Sequence, residues 1–405
     1  MNFNQNPKGM GGVRMNRKLQ GILIRRRRLE LNWSQAALCA GICAVSYLSR
    51  IEQAKVEGTE EVLALLMQRL EIPWQADPEF CGETAAWFEG WYDRMFAGDN
   101  LSALKPELEK RREQYRYTPF WTDWLMLTWQ TTGQPPEELE EFLPVLDERQ
   151  QKLRLCILGA YGDLLPKADQ SYYFLEAGKH FLWQGSYGDA VNCLQNAKEK
   201  AYWEGSLPVQ MESCAYLGSC YSGLNQLEQA RMHYSLASRM ARSLGKEKDV
   251  RVIAYNLATT ELQMGLAEDA MHHLLDQPWN EGLYFQKLAV AYELLGWKDK
   301  ARETLARALE APFGTAPLGA RSDDTAAIRM TFEQMCALVQ MRLDDPNYLK
   351  NPAYGEALRL CVRNQKRYLS MGFVWFQTRW LLEWYTANRQ YQKAYDVLRN
   401  IYLNN

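Results

Sequence analysis

The chain has 405 residues, 47% of them hydrophobic, with a formal net charge of −2. That length supports two or three domains whose cores need no disulfide or metal staple. No apolar run reaches the length of a membrane span, so no membrane partner is expected.

Charge is unevenly placed. Residues 1–76 hold eleven Lys/Arg against six Glu, and the remainder holds thirty-six against forty-three Asp/Glu. A basic head on an acidic body suits a nucleic-acid-binding domain joined to a protein-interaction scaffold. The nine cysteines are scattered at apolar helical positions and only four histidines accompany them. The pattern predicts buried free thiols, a reducing cytoplasm and no metal site.

Residues 1–16 read as a disordered tail. Met1 to Gly12 is rich in Asn and Gly and has no apolar signal-peptide core, and Met10 and Met15 stand as alternative starts. Helices follow at about 17–31, 34–40, 44–53 and 59–71, forming a domain over 17–72. The first carries Arg25-Arg26-Arg27-Arg28, of which at most two can share a face; Arg25 and Arg28 are the candidates for DNA phosphates. Ser34 is a natural N-cap for the second helix. In the third, Leu48 and Ile51 fall on an inward face. Val45, Ser46, Ser49 and Arg50 are left outward, where Arg50 has the fork that matches guanine.

The pair Ser34-Gln35, Leu38 four residues after Ser34, and the block Ser46-Tyr47-Leu48-Ser49-Arg50-Ile51-Glu52 resemble the lambda-repressor-like (Xre) helix-turn-helix family. The resemblance implies double-stranded DNA as partner and Val45, Ser46, Ser49 and Arg50 as base-facing. It gives Gln35 a role in phosphate and recognition-helix contacts, and Ser34 and Lys55 join the DNA-binding set. Two departures stand out. Gly41-Ile42-Cys43 is a short turn similar to that of peptide-sensing regulators of Gram-positive bacteria, and Ala54 replaces the glycine that often ends the recognition helix.

Two prolines in Ile72-Pro73-Trp74-Gln75-Ala76-Asp77-Pro78 mark a short linker over 73–78, and a helical domain is expected over 79–405. Degenerate helix pairs over 83–165 bury Trp87, Trp91, Trp121, Trp124 and Trp129 as core. Beyond them, Ala190, Ala230, Ala270, Ala301 and Ala394 recur. A small residue lies twelve earlier at Gly178, Gly218, Ala258 and Ala289, and a large one four later at Leu194, Tyr234, Leu274, Leu305 and Leu398. These offsets resemble the tetratricopeptide repeat, at 172–202, 212–243, 252–276, 283–310 and 376–402, with a long loop at 312–323. The fold class is therefore all-α, a small helix-turn-helix domain followed by an α-solenoid of tetratricopeptide-like helix pairs.

Such a solenoid presents a concave face suited to an extended peptide. The inward candidates are Tyr172, Lys179, Trp183, Glu212, Ser219, Tyr255, Gln263, Gln286 and Glu293, while Asn256 is read as structural. No phosphate-binding glycine loop, HExxH, nucleophile elbow or CxxC pair is present. His272 and His273 adjoin on a helix and point about 100° apart, too far for shared ligation. No enzyme activity and no cofactor are expected. The combination of head and body resembles the Rgg/PlcR-type peptide-responsive regulators. That resemblance implies a homodimer on an inverted DNA repeat and a short signalling peptide, with a partner protein in place of the peptide, or a scaffold with a vestigial head, as alternatives.

Overall fold

The computed structural model describes residues 16–99, 101, 105–312 and 324–402. The tail before residue 16 and the loop after Pro312 lie outside the described residues. Among the described residues every regular element is a helix, and they divide into two compact units, one ending at Ala168 and the other starting at Asp169.

The first unit opens with α1 (Arg17–Glu30), α2 (Gln35–Cys39), α3 (Val45–Glu52) and α4 (Glu60–Arg69). These agree with the expected helices within two residues, and their starts are chemically defined. Asn16, Ser34 and Thr59 each accept a backbone N–H from inside the helix they cap. Ile24, Leu38, Leu48, Ile51, Leu63 and Leu66 form the core of this four-helix head. Gly21 lets α1 cross α3 closely: a Cβ there would lie 2.4 Å from the Ile51 carbonyl oxygen.

The unit continues with α5 (Pro78–Phe96), α6 (Lys105–Lys110), α7 (Arg112–Tyr115) and α8 (Trp121–Thr132). It closes with α9 (Leu139–Phe142), α10 (Glu148–Ile157) and α11 (Tyr161–Leu164). Trp91, Trp121, Trp124 and Trp129 are buried, and Trp87 is half-buried beneath the Arg111 guanidinium, 4.9 Å from its ring centroid. Helices α5–α11, which the sequence places in the repeat domain, thus share a compact unit with the head. The Gln75 N–H donates to the Tyr117 carbonyl at 3.1 Å, Arg116 pairs with Glu30 at 2.6 Å, and Asn16 donates to the Val145 carbonyl at 3.1 Å.

The second unit stacks helix pairs: α12 (Ser171–Gln184) with α13 (Tyr187–Glu204), α14 (Leu207–Gly223) with α15 (Leu227–Ser243), and α16 (Glu247–Met264) with α17 (Ala267–Asp276). Then come α18 (Gly282–Leu294) with α19 (Lys298–Glu310), α20 (Thr325–Asp344) with α21 (Pro352–Tyr368), and α22 (Met371–Ala387) with α23 (Tyr391–Tyr402). The repeat offsets have a direct packing cause. A Cβ on Gly178 would sit 2.5 Å from Leu194, and one on Gly218 would sit 2.6 Å from Tyr234. The small residue of one helix receives the large residue of its partner. The pair α20–α21 was not among the expected repeats.

The last pair turns back on the stack. Trp375 of α22 donates its indole N–H to the Gly223 carbonyl at 2.8 Å, 152 residues away. Phe373, Val374, Trp375 and Phe376 enter the same core as Leu217, Tyr255, Tyr284 and Leu288. Helix α22 thus packs on α14 and covers part of the inner face expected to be an open groove.

Candidate nucleic-acid interface and ligand cavity

Helix α3 sorts its side chains cleanly. Leu48 and Ile51 are fully buried, while Val45, Ser46 and Arg50 are exposed and Ser49 is half-exposed. The face that could meet base edges is held from behind by an ion pair. Arg28 donates from Nε to Glu52 Oε1 at 2.6 Å and from a terminal nitrogen to Oε2 at 2.8 Å, and its other terminal nitrogen reaches the Trp33 carbonyl at 2.7 Å. Gln35 donates to the same Glu52 at 2.7 Å. The carboxylate on the last turn of α3 thereby ties α1 and α2 to it, a bidentate arrangement that fixes orientation as well as distance.

This geometry corrects one expectation. Arg28 is buried, with its side chain 9% exposed, so its charge is spent on Glu52 and is not offered to phosphate. Gln35 contacts α3 through Glu52, as the resemblance implies for one part of its role. Within the arginine run, only Arg25 is exposed: Arg26 lies 3.9 Å from Glu141 and Arg27 pairs with Glu30 at 3.3 Å. Ser34 keeps its capping role, accepting the Ala37 N–H at 3.1 Å, and Lys55 is exposed just beyond α3.

Sequence reasoning missed Arg69. From α4 it donates to the carbonyls of Leu38 at 2.8 Å and Ala40 at 2.6 Å, satisfying the end of α2 before the tight turn. The residue after that turn's start, Gly41, has φ +72°, and Ala54 at the end of α3 has φ +54°. A left-handed alanine costs about 1–2 kcal/mol. Ala54→Gly should therefore raise the melting temperature of the head, measured by thermal denaturation. A lower melting temperature would mean that the buried methyl outweighs the strain.

In the second unit, Trp183, Ser219 and Tyr255 converge on one cavity of about 140 Å³ between α12, α14, α16 and the start of α22. Leu182, Tyr187, Tyr216, Ser222, Tyr234, Asn256, Thr259, Ser370, Gly372 and Phe373 complete its lining. Trp183 is 51% exposed, and Tyr234 and Ser219 share a hydrogen bond of 3.1 Å. Burial holds the Tyr234 and Tyr255 phenols well above their usual range, so both are neutral hydroxyls at pH 7. Lys179 pairs with Glu176 at 2.8 Å and Glu212 at 2.9 Å, and its Nζ lies 5.4 Å from the Tyr216 ring centroid. One lysine between two carboxylates leaves this cluster with a net negative charge, and the cavity lining itself carries none. A space of this size holds one benzene-sized ring.

The remaining inward candidates do not reach this site. Tyr172, Gln263 and Gln286 are buried, and Glu293 pairs with Arg342 at 3.0 Å. Asn256, read as structural, lines the cavity. Of the histidine pair, His273 bonds Glu261 at 2.8 Å. Among the described residues no group of three or more His, Cys, Asp or Glu side chains is placed to hold a metal, and no helix is long and apolar enough to cross a membrane.

No protein-family profile and no curated protein matches the sequence. Among solved structures the chain is similar to Bacillus thuringiensis PlcR in complex with the peptide PapR7 and DNA. The identity is 13% and the TM-score 0.31, over 70% of this chain and 99% of that one. That likeness is too slight to assign a residue role.

Proposed function

We propose that the chain is a sequence-specific, Xre-type transcription regulator whose helical-repeat unit dimerises and senses a short signalling peptide in the cytoplasm. One observation carries the DNA half of this reading. Helix α3 offers Val45, Ser46, Ser49 and Arg50 on its outer side and is locked from within by Arg28, Gln35 and Glu52. A rigid helix with small and fork-shaped side chains outward is what reading a major groove requires. Arg25 and Lys55 supply phosphate contacts from either side, and no catalytic role is assigned to any residue.

The cavity supports the sensing half. It admits one neutral side chain, with Trp183 at its mouth and hydroxyls within, and the rest of a peptide would run along α12 and α14 past Lys179 and Glu212. The coverage of the inner face by α22 favours a second reading for the repeats, in which they bind a partner protein and no peptide.

The test is selection of bound sequences from a random duplex pool with full-length protein at fixed salt. An inverted repeat should be enriched, and Arg50→Ala should relax one position of each half-site, at a cost of about 1–3 kcal/mol. Absence of any enriched sequence, or an Arg50→Ala profile identical to the original, would remove the DNA-reading role. Adding the peptide fraction of spent culture medium should change affinity for the selected site. No change would leave the partner-protein reading.

A further inference from the structure

We propose that the groove between α21 and α23, at the C-terminal end of the second unit, docks an acidic amphipathic helix of a partner protein. The inference is independent of DNA reading and of the cavity near Trp183.

The groove exists because α21 and α23 both pack on α22 and meet each other little. Val362, Leu381 and Tyr385 form a buried apolar floor, Leu360 is 39% exposed on one wall, and Val397 is half-buried on the other. Its volume is about 680 Å³. The lining run of α21, residues 356–367, extends about 16 Å at the helical rise, or three turns of a docked helix. An apolar stripe at i, i+3, i+4 and i+7 fits such a floor.

Charge selects the occupant. Arg359, Arg363, Lys366 and Arg367 follow one another along the α21 wall, and the one acid in the lining, Glu356, pairs with Arg359. Arg363, Lys366 and Arg367 have no ion pair among the described residues. Partial burial pulls the Lys366 amine below its usual range, a cost that an incoming carboxylate would relieve. Residues 352–402 hold eight Lys/Arg against three Asp/Glu, whereas 77–351 hold twenty-eight against forty. An acidic partner is therefore steered away from the body and toward this end.

The alternatives fit less well. A second copy presenting the same face would oppose two cationic surfaces. The chain's own first fifteen residues carry Lys8 and Arg14 and no acid. Nucleic acid would gain nothing from Leu360, Val362, Leu381 and Val397.

The experiment uses full-length protein and a fluorescein-labelled synthetic helix with leucine at i, i+3, i+4 and i+7 and glutamate on both flanks, read by fluorescence anisotropy. A counterpart with lysine flanks is the control. Saturable binding of the glutamate helix is expected, about tenfold or more tighter than the lysine helix and weakened by salt. The double variant Arg363→Glu/Lys366→Glu should lose about tenfold or more. If that variant fails to fold by circular dichroism, Arg363→Gln/Lys366→Gln replaces it with the same expected direction. Absence of saturable binding, or binding unchanged in the variant, overturns the proposal. So does displacement of the peptide by duplex DNA, which would assign the groove to nucleic acid. Self-association abolished by the same substitutions would assign it to a second copy.

Discussion

Replacing Glu52 with alanine should unfold the helix-turn-helix head under conditions where the rest of the chain stays folded. Glu52 is 2% exposed and accepts three hydrogen bonds, two from Arg28 and one from Gln35. Removing it leaves a buried guanidinium facing no counter-charge, and breaking such a pair costs about 3–5 kcal/mol. The head's core is small, built mainly from Ile24, Leu38, Leu48, Ile51, Leu63 and Leu66, so a loss of this size is a large fraction of its stability. Hydrogen exchange over residues 17–72 should show global loss of protection, and specific DNA binding should disappear with it. The double variant Arg28→Met/Glu52→Leu is the decisive control. It removes both charges and should cost less than Glu52→Ala alone, because no unpaired ion remains. A Glu52→Ala head as protected as the original would show that Arg28 finds water or another partner, and the lock would lose its assigned role.

Much of this head could be read from the sequence because its signals are local. Ser34 caps three residues ahead, and Leu48 and Ile51 mark one face of α3. The repeats were readable for a similar reason: Gly178 and Leu194, or Gly218 and Tyr234, meet within a single helix pair. The inward position of Arg28 also has a local signal. Gly21, Ile24 and Arg28 follow a three–four spacing that places all three on the buried face of α1, and the neighbouring arginines obscured it. The cover supplied by α22 had no comparable signal. The contact between Trp375 and Gly223 spans 152 residues, and no periodicity encodes it. The same docking of α22 brings Gly372 and Phe373 to the cavity beside Trp183, and Gln263 and Gln286, expected in the groove, are buried. The burial of Lys287 has no local signal either, since Phe373 and Phe376 of α22 pack over it beside Cys336 of α20 and Cys361 of α21.

Lys287→Met should stabilise the second unit, most strongly at and below neutral pH. The Lys287 side chain is fully buried on α18, its Nζ lies 3.7 Å from the Phe376 ring centroid and 5.7 Å from that of Phe373, and it has no hydrogen-bond partner among the described residues. Cys336 on α20 and Cys361 on α21 are the titratable groups facing it. Burial pulls its pKa down to about 7, against about 10.4 in an unfolded chain. Below pH 7 the amine is charged in both states, and the folded state bears the full cost of an ammonium among phenyl rings, only partly offset by attraction to the ring of Phe376. Between pH 7 and about 10.4 the unfolded chain binds the proton more tightly, so this group makes stability rise with pH, by at most about 1.4 kcal/mol per unit. The thiols of Cys336 and Cys361 work in the opposite sense. Burial pushes both up to about 12, so above about pH 8.5 the unfolded chain releases protons that the folded chain retains, and stability falls. The melting temperature should climb from pH 7 to about 8.5 and then level or drop. Methionine keeps the length of the side chain and removes the charge, an exchange of the kind that stabilises by about 1–4 kcal/mol when the buried ion is poorly compensated. The variant should melt higher at pH 7 and lose the climb while keeping the alkaline fall, which belongs to the thiols. An unchanged climb would assign the neutral-pH titration to another group, and a lower melting temperature at pH 7 would show that the ammonium and the ring of Phe376 hold α18 and α22 together.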